Sequence, residues 1–530
     1  MKRIGIGILL ACLVSVWFAG SASAITPPGP APSYPGLQVL HFHAGPYLVK
    51  PGANLILLDS NHVPKPTQDG YMVRMVPDLR FAKPGGVCCG PVPRVDVIHL
   101  HHGVWLSNGT AGQGEGNGTS GFYPFMASGE EKTIYEFPHG YGYPIGAHDY
   151  WLLNYMIHNL TARARSVFIN YTIDFLPATS PAATSITPVH PIWMDVMAHH
   201  IYPVFDVHRY GGVYGKYTFP DMAKTPYGSG PALNTFTVDH PGTLIATAGH
   251  VHPGGLYDDL GLIRPGVAPS GGTIPGPVPN SVRLFRSNAH YWDKRGPISW
   301  DMAMTGTAPD WRPQVKAGDI MRISATYDTR RASWYESMGI MVVWEAWNGT
   351  GGIDPFTHAL DQTGHITHGH LAEDNNHGGA FSLPDNPAKF PDCRRSQVTI
   401  SGFQFNPGDF TATGSNRCIP TIRQGKSLTF TNFDASPENT GFNPLAPTQA
   451  YMDSVFHTVT ACQNPCGLNT GISYPLANGP GGYDSGQLGF GTPAQDAIRW
   501  STPAALKPGV YTFFCRIHPF MRGTFRIVGG

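Results

Sequence analysis

Seven residues near the C-terminus, Cys515-Arg516-Ile517-His518-Pro519-Phe520-Met521, constrain this chain more than any other stretch. They set a thiol, an imidazole and a thioether side by side, directly after the β-rich run Tyr511-Thr512-Phe513-Phe514. One Cys and two His form a trigonal set suited to copper, with a weak axial Met tuning the potential. The set is one imidazole short. His457, in the alternating segment Val455-Phe456-His457-Thr458-Val459-Thr460, is the best source, since a strand can carry it to the same end of a sheet. Cys-x2-His also occurs as half of a zinc site, but a single Cys followed by Pro, Phe and Met suits zinc poorly. The expected ligands are His457, Cys515, His518 and Met521.

Residues 395–530 resemble a cupredoxin, the Greek-key sandwich that carries type 1 copper. The resemblance rests on residues 398–405, 427–433 and 457–460 and on the closing Cys-x2-His-x2-Met, and all four ligand positions are filled.

Met1-Lys2-Arg3, an apolar run over residues 4–20 and Ala22-Ser23-Ala24 follow the charged, apolar and small-residue order of a signal peptide, expected over 1–24. No later stretch approaches the about twenty apolar residues of a membrane span. The expected location is secreted or periplasmic. A formal net charge of +0 offers nothing to nucleic acid or an anionic membrane. The 64 Gly and 50 Pro favour short strands and turns. The expected class is all-β: two antiparallel, jelly-roll-like β-sandwiches over 25–180 and 181–350, a histidine-containing linker over 351–394, and the cupredoxin over 395–530. With Cys12 in the signal and Cys515 on copper, six cysteines remain in an oxidising compartment. The simplest pairings are Cys462 with Cys466 and Cys393 with Cys418; for the adjacent Cys88 and Cys89 the alternatives are a vicinal bridge and, preferred to it, pairing with separate partners.

The 24 histidines are the larger signal. In His99-Leu100-His101-His102-Gly103, strand alternation puts His99 and His101 on one face and His102 on the other. An adjacent pair serves one metal only where a bulge or strand end re-aims a ring, which Gly103 permits. His158 lies in an aromatic strand, and His250-Val251-His252 places two imidazoles on one face of a strand end.

In content and order these groups resemble the type II, ascorbate-dependent copper monooxygenases, the family of peptidylglycine α-hydroxylating and dopamine β-monooxygenases, over residues 37–350. The family shows a His-His pair, a lone His, His-x-His before a Gly turn, and a Met ahead of an apolar strand. The corresponding residues are His101-His102, His158, His250 and His252, and Met338, with Met341 the other available thioether. The resemblance implies two mononuclear copper sites beside the type 1 site. His101, His102 and His158 would hold an electron-storing copper. His250, His252 and Met338 would hold the catalytic, oxygen-binding one, facing the first across a solvent-filled cleft.

The implied activity is hydroxylation of a C–H bond in a small-molecule substrate with O2. The fused type 1 domain would donate electrons, supplied by a redox partner or by an external reductant such as ascorbate. The competing reading is a copper-binding, electron-transfer protein with inactive sandwiches. Positions that grip a peptide carboxylate in the peptidylglycine hydroxylases are Ala248, Ile340 and Val342 here, so C-terminal glycine peptides are not expected substrates. Laccase or two-domain nitrite reductase wiring needs a His-Cys-His triplet, whereas Phe514 and Arg516 flank Cys515. The linker histidines His358, His365, His368, His370 and His377 read as a solvated loop, the alternative being a further metal site or copper capture during loading, and alternation separates His199 from His200.

Overall fold

The computed structural model describes residues 33–530, apart from 51–53, 62, 96, 115–120, 130–131, 133, 162, 198–201, 224–233, 293–295, 298–299, 331–332, 371–385, 388–389, 436–454, 462–481, 491–496 and 519. The expected signal peptide, His199-His200, His377 and the Cys462/Cys466 pair lie outside the described residues. Strands make up 50% of the structure and helices 2%, so the chain is all-β. Among the described residues no helix is long and apolar enough to cross a membrane.

The N-terminal sandwich packs a six-stranded sheet on a four-stranded one. Gln38–Val49, Arg165–Pro177 and Gly70–Phe81 are neighbours in the first sheet; Asn54–Asp59, Trp151–Asn159, Ile98–Ser107 and Tyr123–Ser128 form the second, in that order. Trp105, Phe125, Tyr143 and Phe175 fill the space between them. Every residue of Ile98–Ser107 is buried. An antiparallel strand exposed on one face would alternate, so something covers its second face.

The cover is the second sandwich. Its 11-stranded sheet runs from His190–Asp195 through Ile340–Trp347, Gly242–His250 and Met302–Thr307 to Lys216–Phe219, around a core containing Trp311, Trp334 and Tyr327. Ile340, Val342 and Trp344 join the first sandwich's core, whereas Met341 and Val343 join the second's. This is the period of two that a strand imposes.

The 351–394 linker expectation needs correcting at its start. Phe356 and Leu360 are buried in the second core, and Gly364–Ile366 pairs with Met302–Thr307. Three apolar anchors at wide spacing leave no periodicity to read.

The C-terminal unit has a five-stranded sheet, in which Arg522–Val528 lies between Ile419–Arg423 and Gly509–Phe514, and a four-stranded sheet containing Gln397–Ser401 and Thr429–Asn432. Cys393 and Cys418 are bonded, with Cα atoms 5.7 Å apart. Cys88 and Cys89 are bonded to each other, which corrects the expectation of separate partners. Among the described residues Cys515 is the free cysteine, and it is buried within the C-terminal unit.

Candidate metal centres

Gly509–Phe514 delivers Cys515 at its end, and Met521 opens the return into Arg522–Val528. The turn closes on itself: the Cys515 N–H donates to the Met521 carbonyl (3.1 Å) and the Met521 N–H to that of His518 (2.9 Å). His457 does not arrive on the expected strand. Residues 455–459 are irregular, His457 makes an isolated bridge to Leu488, and only Thr460–Ala461 pairs, Thr460 facing Phe514. That short ladder suffices to bring His457 beside the cysteine. Its Nδ1 lies 3.1 Å from His518 Nδ1, and the Cys515 sulfur lies 3.8 and 3.7 Å from the two nitrogens.

Among the described residues this is the trio of His, Cys or acidic side chains whose ligand atoms all lie within 4.8 Å. The sulfur also accepts the N–H groups of Thr458 (3.3 Å) and His518 (3.4 Å), bonds of the kind that tune a copper thiolate. On its far nitrogen His457 meets Asp434 at 2.8 Å. Burial works against charge there, yet Asp434 and Cys515 raise the His457 pKa above its usual value.

The remaining histidines gather where all three units meet. His99 faces His158 directly across the ladder, and the register shifts between Leu100 and His102, so His101 sits in a bulge. The bulge separates the adjacent pair. The His101 ring lies 5.8 Å from His158 and 6.0 Å from His99 between centroids, while His102 lies 5.1 Å from Tyr202 and 5.7 Å from His250. His99 thus stands with His101 and His158, and His102 turns to the second sandwich.

His250 closes its ladder against Ile340. Stepping two residues along each chain puts His252 and Met338 on the same face. The Tyr327 hydroxyl fixes that arrangement. It accepts the N–H of His252 (3.0 Å) and of Met338 (3.0 Å) and donates to the Met338 carbonyl (2.7 Å). His250 Nε2 and His252 Nε2 are 3.1 Å apart, a spacing two nitrogens adopt when both lie within about 2 Å of one ion. Met341 is in the second core, on the opposite face.

Three backbone carbonyls set the tautomers. His99 Nδ1 donates to Val95 (2.7 Å), His158 Nε2 to Ile517 (2.7 Å) and His252 Nδ1 to Glu336 (2.5 Å). Each bond leaves the other ring nitrogen with its lone pair free for a metal. His99 Nε2, His101 Nδ1 and His158 Nδ1 are buried without a hydrogen-bond partner among the described residues. Leaving such groups unpaired is costly, and a metal ion relieves the cost. A donor set of imidazoles with a thioether fits copper. Burial, reinforced by neighbouring histidines, holds His101 and His252 well below the usual imidazole pKa, and burial pushes His158 down to about 4. All four carbonyl-fixed or bulged rings are therefore neutral, ligand-competent imidazoles near pH 7.

The solvent-filled cleft expected between the two histidine groups is absent among the described residues. The His101 and His252 ring centroids are 4.1 Å apart, and His101, His102, His158, His250 and His252 are each 3% exposed or less. The reason is packing: the Ile340–Trp347 face and the first sandwich share one apolar core, which draws the rings together. What remains is a cavity of about 40 Å3, lined by His101, His158, His252, Trp300, Glu336 and Arg516 among others.

Several of these residues carried no signal in sequence. Trp300 sits between rings of both sandwiches, 4.3 Å from His99, 5.1 Å from His101 and 5.7 Å from His252. Glu336, at φ +54°, turns its carbonyl to His252 and brings its carboxylate within 4.0 Å of His101 Nε2. The C-terminal unit is seated by Arg516 over Trp334 (4.6 Å), by Tyr335 donating to Asp484, and by Gln487 to Asp206 (3.3 Å). Of the linker histidines, His370 Nδ1 meets Asp301 at 2.5 Å and His368 Nε2 donates to the Met302 carbonyl. Neither joins the junction.

No protein-family model and no curated protein matches the chain. Among solved structures it is similar to a copper-containing nitrite reductase from Thermus scotoductus SA-01, at 13% identity and a TM-score of 0.16 over 55% of this chain and 58% of that one. It is also similar to a Cu(I) form of an amicyanin mutant, at 16% identity and a TM-score of 0.13 over 28% of this chain and 93% of that one. The alignment spans less than two thirds of the reductase. At such scores neither likeness bears on the site, which stands on its own geometry.

Proposed function

We propose that the chain is an exported copper-dependent monooxygenase carrying its own electron donor. His457, Cys515, His518 and Met521 would hold a type 1 copper; His101 and His158, with His99 in the place expected of His102, a second copper; and His250, His252 and Met338 a third. The observation that carries the reading is the convergence of six buried histidines from two sandwiches, three of them with carbonyl-fixed tautomers, against the very turn that bears Cys515. The balanced reaction is R–H + O2 + 2 electrons + 2 protons giving R–OH and water, the electrons coming from ascorbate or another one-electron reductant.

Copper supplies one-electron steps and a binding position for dioxygen. The protein's part is to keep the rings neutral, exclude bulk water and bring the two sites into ring contact. Tyr327 holds the His252 and Met338 backbones at a fixed separation, and Glu336 orients His252 through its carbonyl.

The size of the cavity favours a second reading. About 40 Å3 holds a few water-sized molecules, each needing about 10–15 Å3, and no sizeable organic substrate. A copper-binding, electron-transfer protein with inactive sandwiches would need no more space.

Copper analysis and oxygen uptake separate the two. The monooxygenase should bind three coppers per chain, consume O2 with ascorbate and a C–H substrate, and place label from 18O2 in the product. Met338→Ile should abolish uptake while the type 1 colour persists. One copper per chain, or oxygen uptake no greater than free copper gives, rejects the monooxygenase.

A further inference from the structure

We infer that His158 is the port through which electrons enter the histidine junction, and that the hydrogen bond from its Nε2–H to the Ile517 carbonyl is the bridge from the Cys515 centre. The inference rests on the copper reading above and adds a route that neither motif contains.

The geometry is direct. Ile517 lies between Cys515 and His518, and its carbonyl carbon is bonded to the backbone nitrogen of His518. From the His518 side chain the path runs through its own Cα and backbone nitrogen to that carbonyl, then across a single 2.7 Å hydrogen bond to His158 Nε2. Beyond it the imidazole ring conducts to Nδ1, the nitrogen left without a hydrogen-bond partner. The His158 and His518 ring centroids are 6.5 Å apart.

The dock is also fixed. Ile517 is buried, Arg516 lies over Trp334, Tyr335 bonds Asp484, and Phe514 is part of the second sandwich's core. A Cys515 flanked by Phe514 and Arg516 has no adjacent histidine to pass an electron to, and the Ile517 carbonyl takes that role. One electron leaves the clamp, whose ion goes from Cu(I) to Cu(II), and reduces the junction ion from Cu(II) to Cu(I). No proton moves, and ascorbate re-reduces the clamp.

The test follows the blue absorption after rapid partial reduction of the full-length, copper-loaded protein. In the wild type, transfer should be independent of protein concentration and of added glycerol. A rate falling in inverse proportion to viscosity would mean that the domain must swing to deliver the electron, and would overturn the route.

Replacing His158 by histidine methylated on Nε2 removes the donor, sets a methyl group against the Ile517 carbonyl and keeps Nδ1. It should slow transfer by about tenfold or more, the usual size of a lost outer-shell bond, with three coppers and both EPR signatures retained. Ile517→Ala, which keeps the carbonyl, should transfer at the wild-type rate. Unchanged transfer in the methylated protein, or equal slowing in Ile517→Ala, overturns the inference. A wild type holding one copper rejects the function itself, which the metal count reveals before any kinetics.

Discussion

The clamp and the junction are both built from histidine, yet they achieve order differently. The clamp closes three ligand atoms within 4.8 Å of one another. It needs one sheet end, a turn that hydrogen-bonds to itself, and one ladder pair, Thr460 with Phe514. The junction spreads its rings over strands of two sandwiches, with centroids 4.1 to 6.0 Å apart, and takes its orienting carbonyls from Val95, Glu336 and Ile517 in all three units. A site of the first kind is set by local folding. A site of the second kind exists only when the units are docked, so its metal geometry reports on tertiary structure.

The sharpest way to break this contrast is Cys515→Ser. It should abolish the intense visible absorption and remove one copper per chain, while the junction keeps its metal and ascorbate-driven oxygen uptake, deprived of its electron donor, falls. Loss of junction copper as well, by metal analysis, would make the clamp a structural support of the junction.

Next in size is Tyr327→Phe. Deleting the hydroxyl that ties His252 to Met338 should weaken copper at the His250/His252/Met338 site by about tenfold, read by chelator competition, with the blue absorption unchanged.

Acid should separate the two centres in the metal-free protein. His99, His101, His158 and His252 all have folded pKa values below the unfolded value, burial being the first cause in each. Between about pH 6.5 and about 4, to which burial lowers His158, the unfolded chain binds more protons, so stability falls as pH falls. His457 is shifted the other way, and its contribution is fully present below its unfolded pKa and is lost as pH rises through its folded one. The metal-free Tm should therefore drop through this window, with the junction protons responsible. A Tm that is flat from pH 7 to 4 contradicts the assignment.

The smallest effect belongs to Met341→Leu. Pointing into the second core, it should cost less than about 1.5 kcal/mol in denaturant unfolding and leave copper content unchanged, unlike Met338→Leu, which removes a thioether from the junction face.

What could be read from the sequence follows the same division. Cys515, His518 and Met521 fall within seven residues, so their chemistry is visible as a motif. The i, i+2 spacing of His250 and His252 follows from strand alternation; a bulge does lie at His101, but it separates His101 from His102 where the expected one would have joined them at one metal. The Ile517 bridge has no sequence signature, because every residue has a carbonyl. Trp300 reads as an ordinary core residue until the sandwiches are packed, and the closeness of His101 to His252 depends on an apolar face shared between two units.

Phe514 carries a consequence for the chain as a whole. Its backbone belongs to the C-terminal sheet, but its side chain is buried among the residues of the second sandwich's core. Removing a buried Phe leaves a hole worth about 3–5 kcal/mol, and a protein cut near residue 395 would suffer that loss in the part it retains. The boundary visible along the sequence is thus not a boundary in energy. Heated, the second sandwich and the C-terminal unit should come apart in a single cooperative transition, as one melting body.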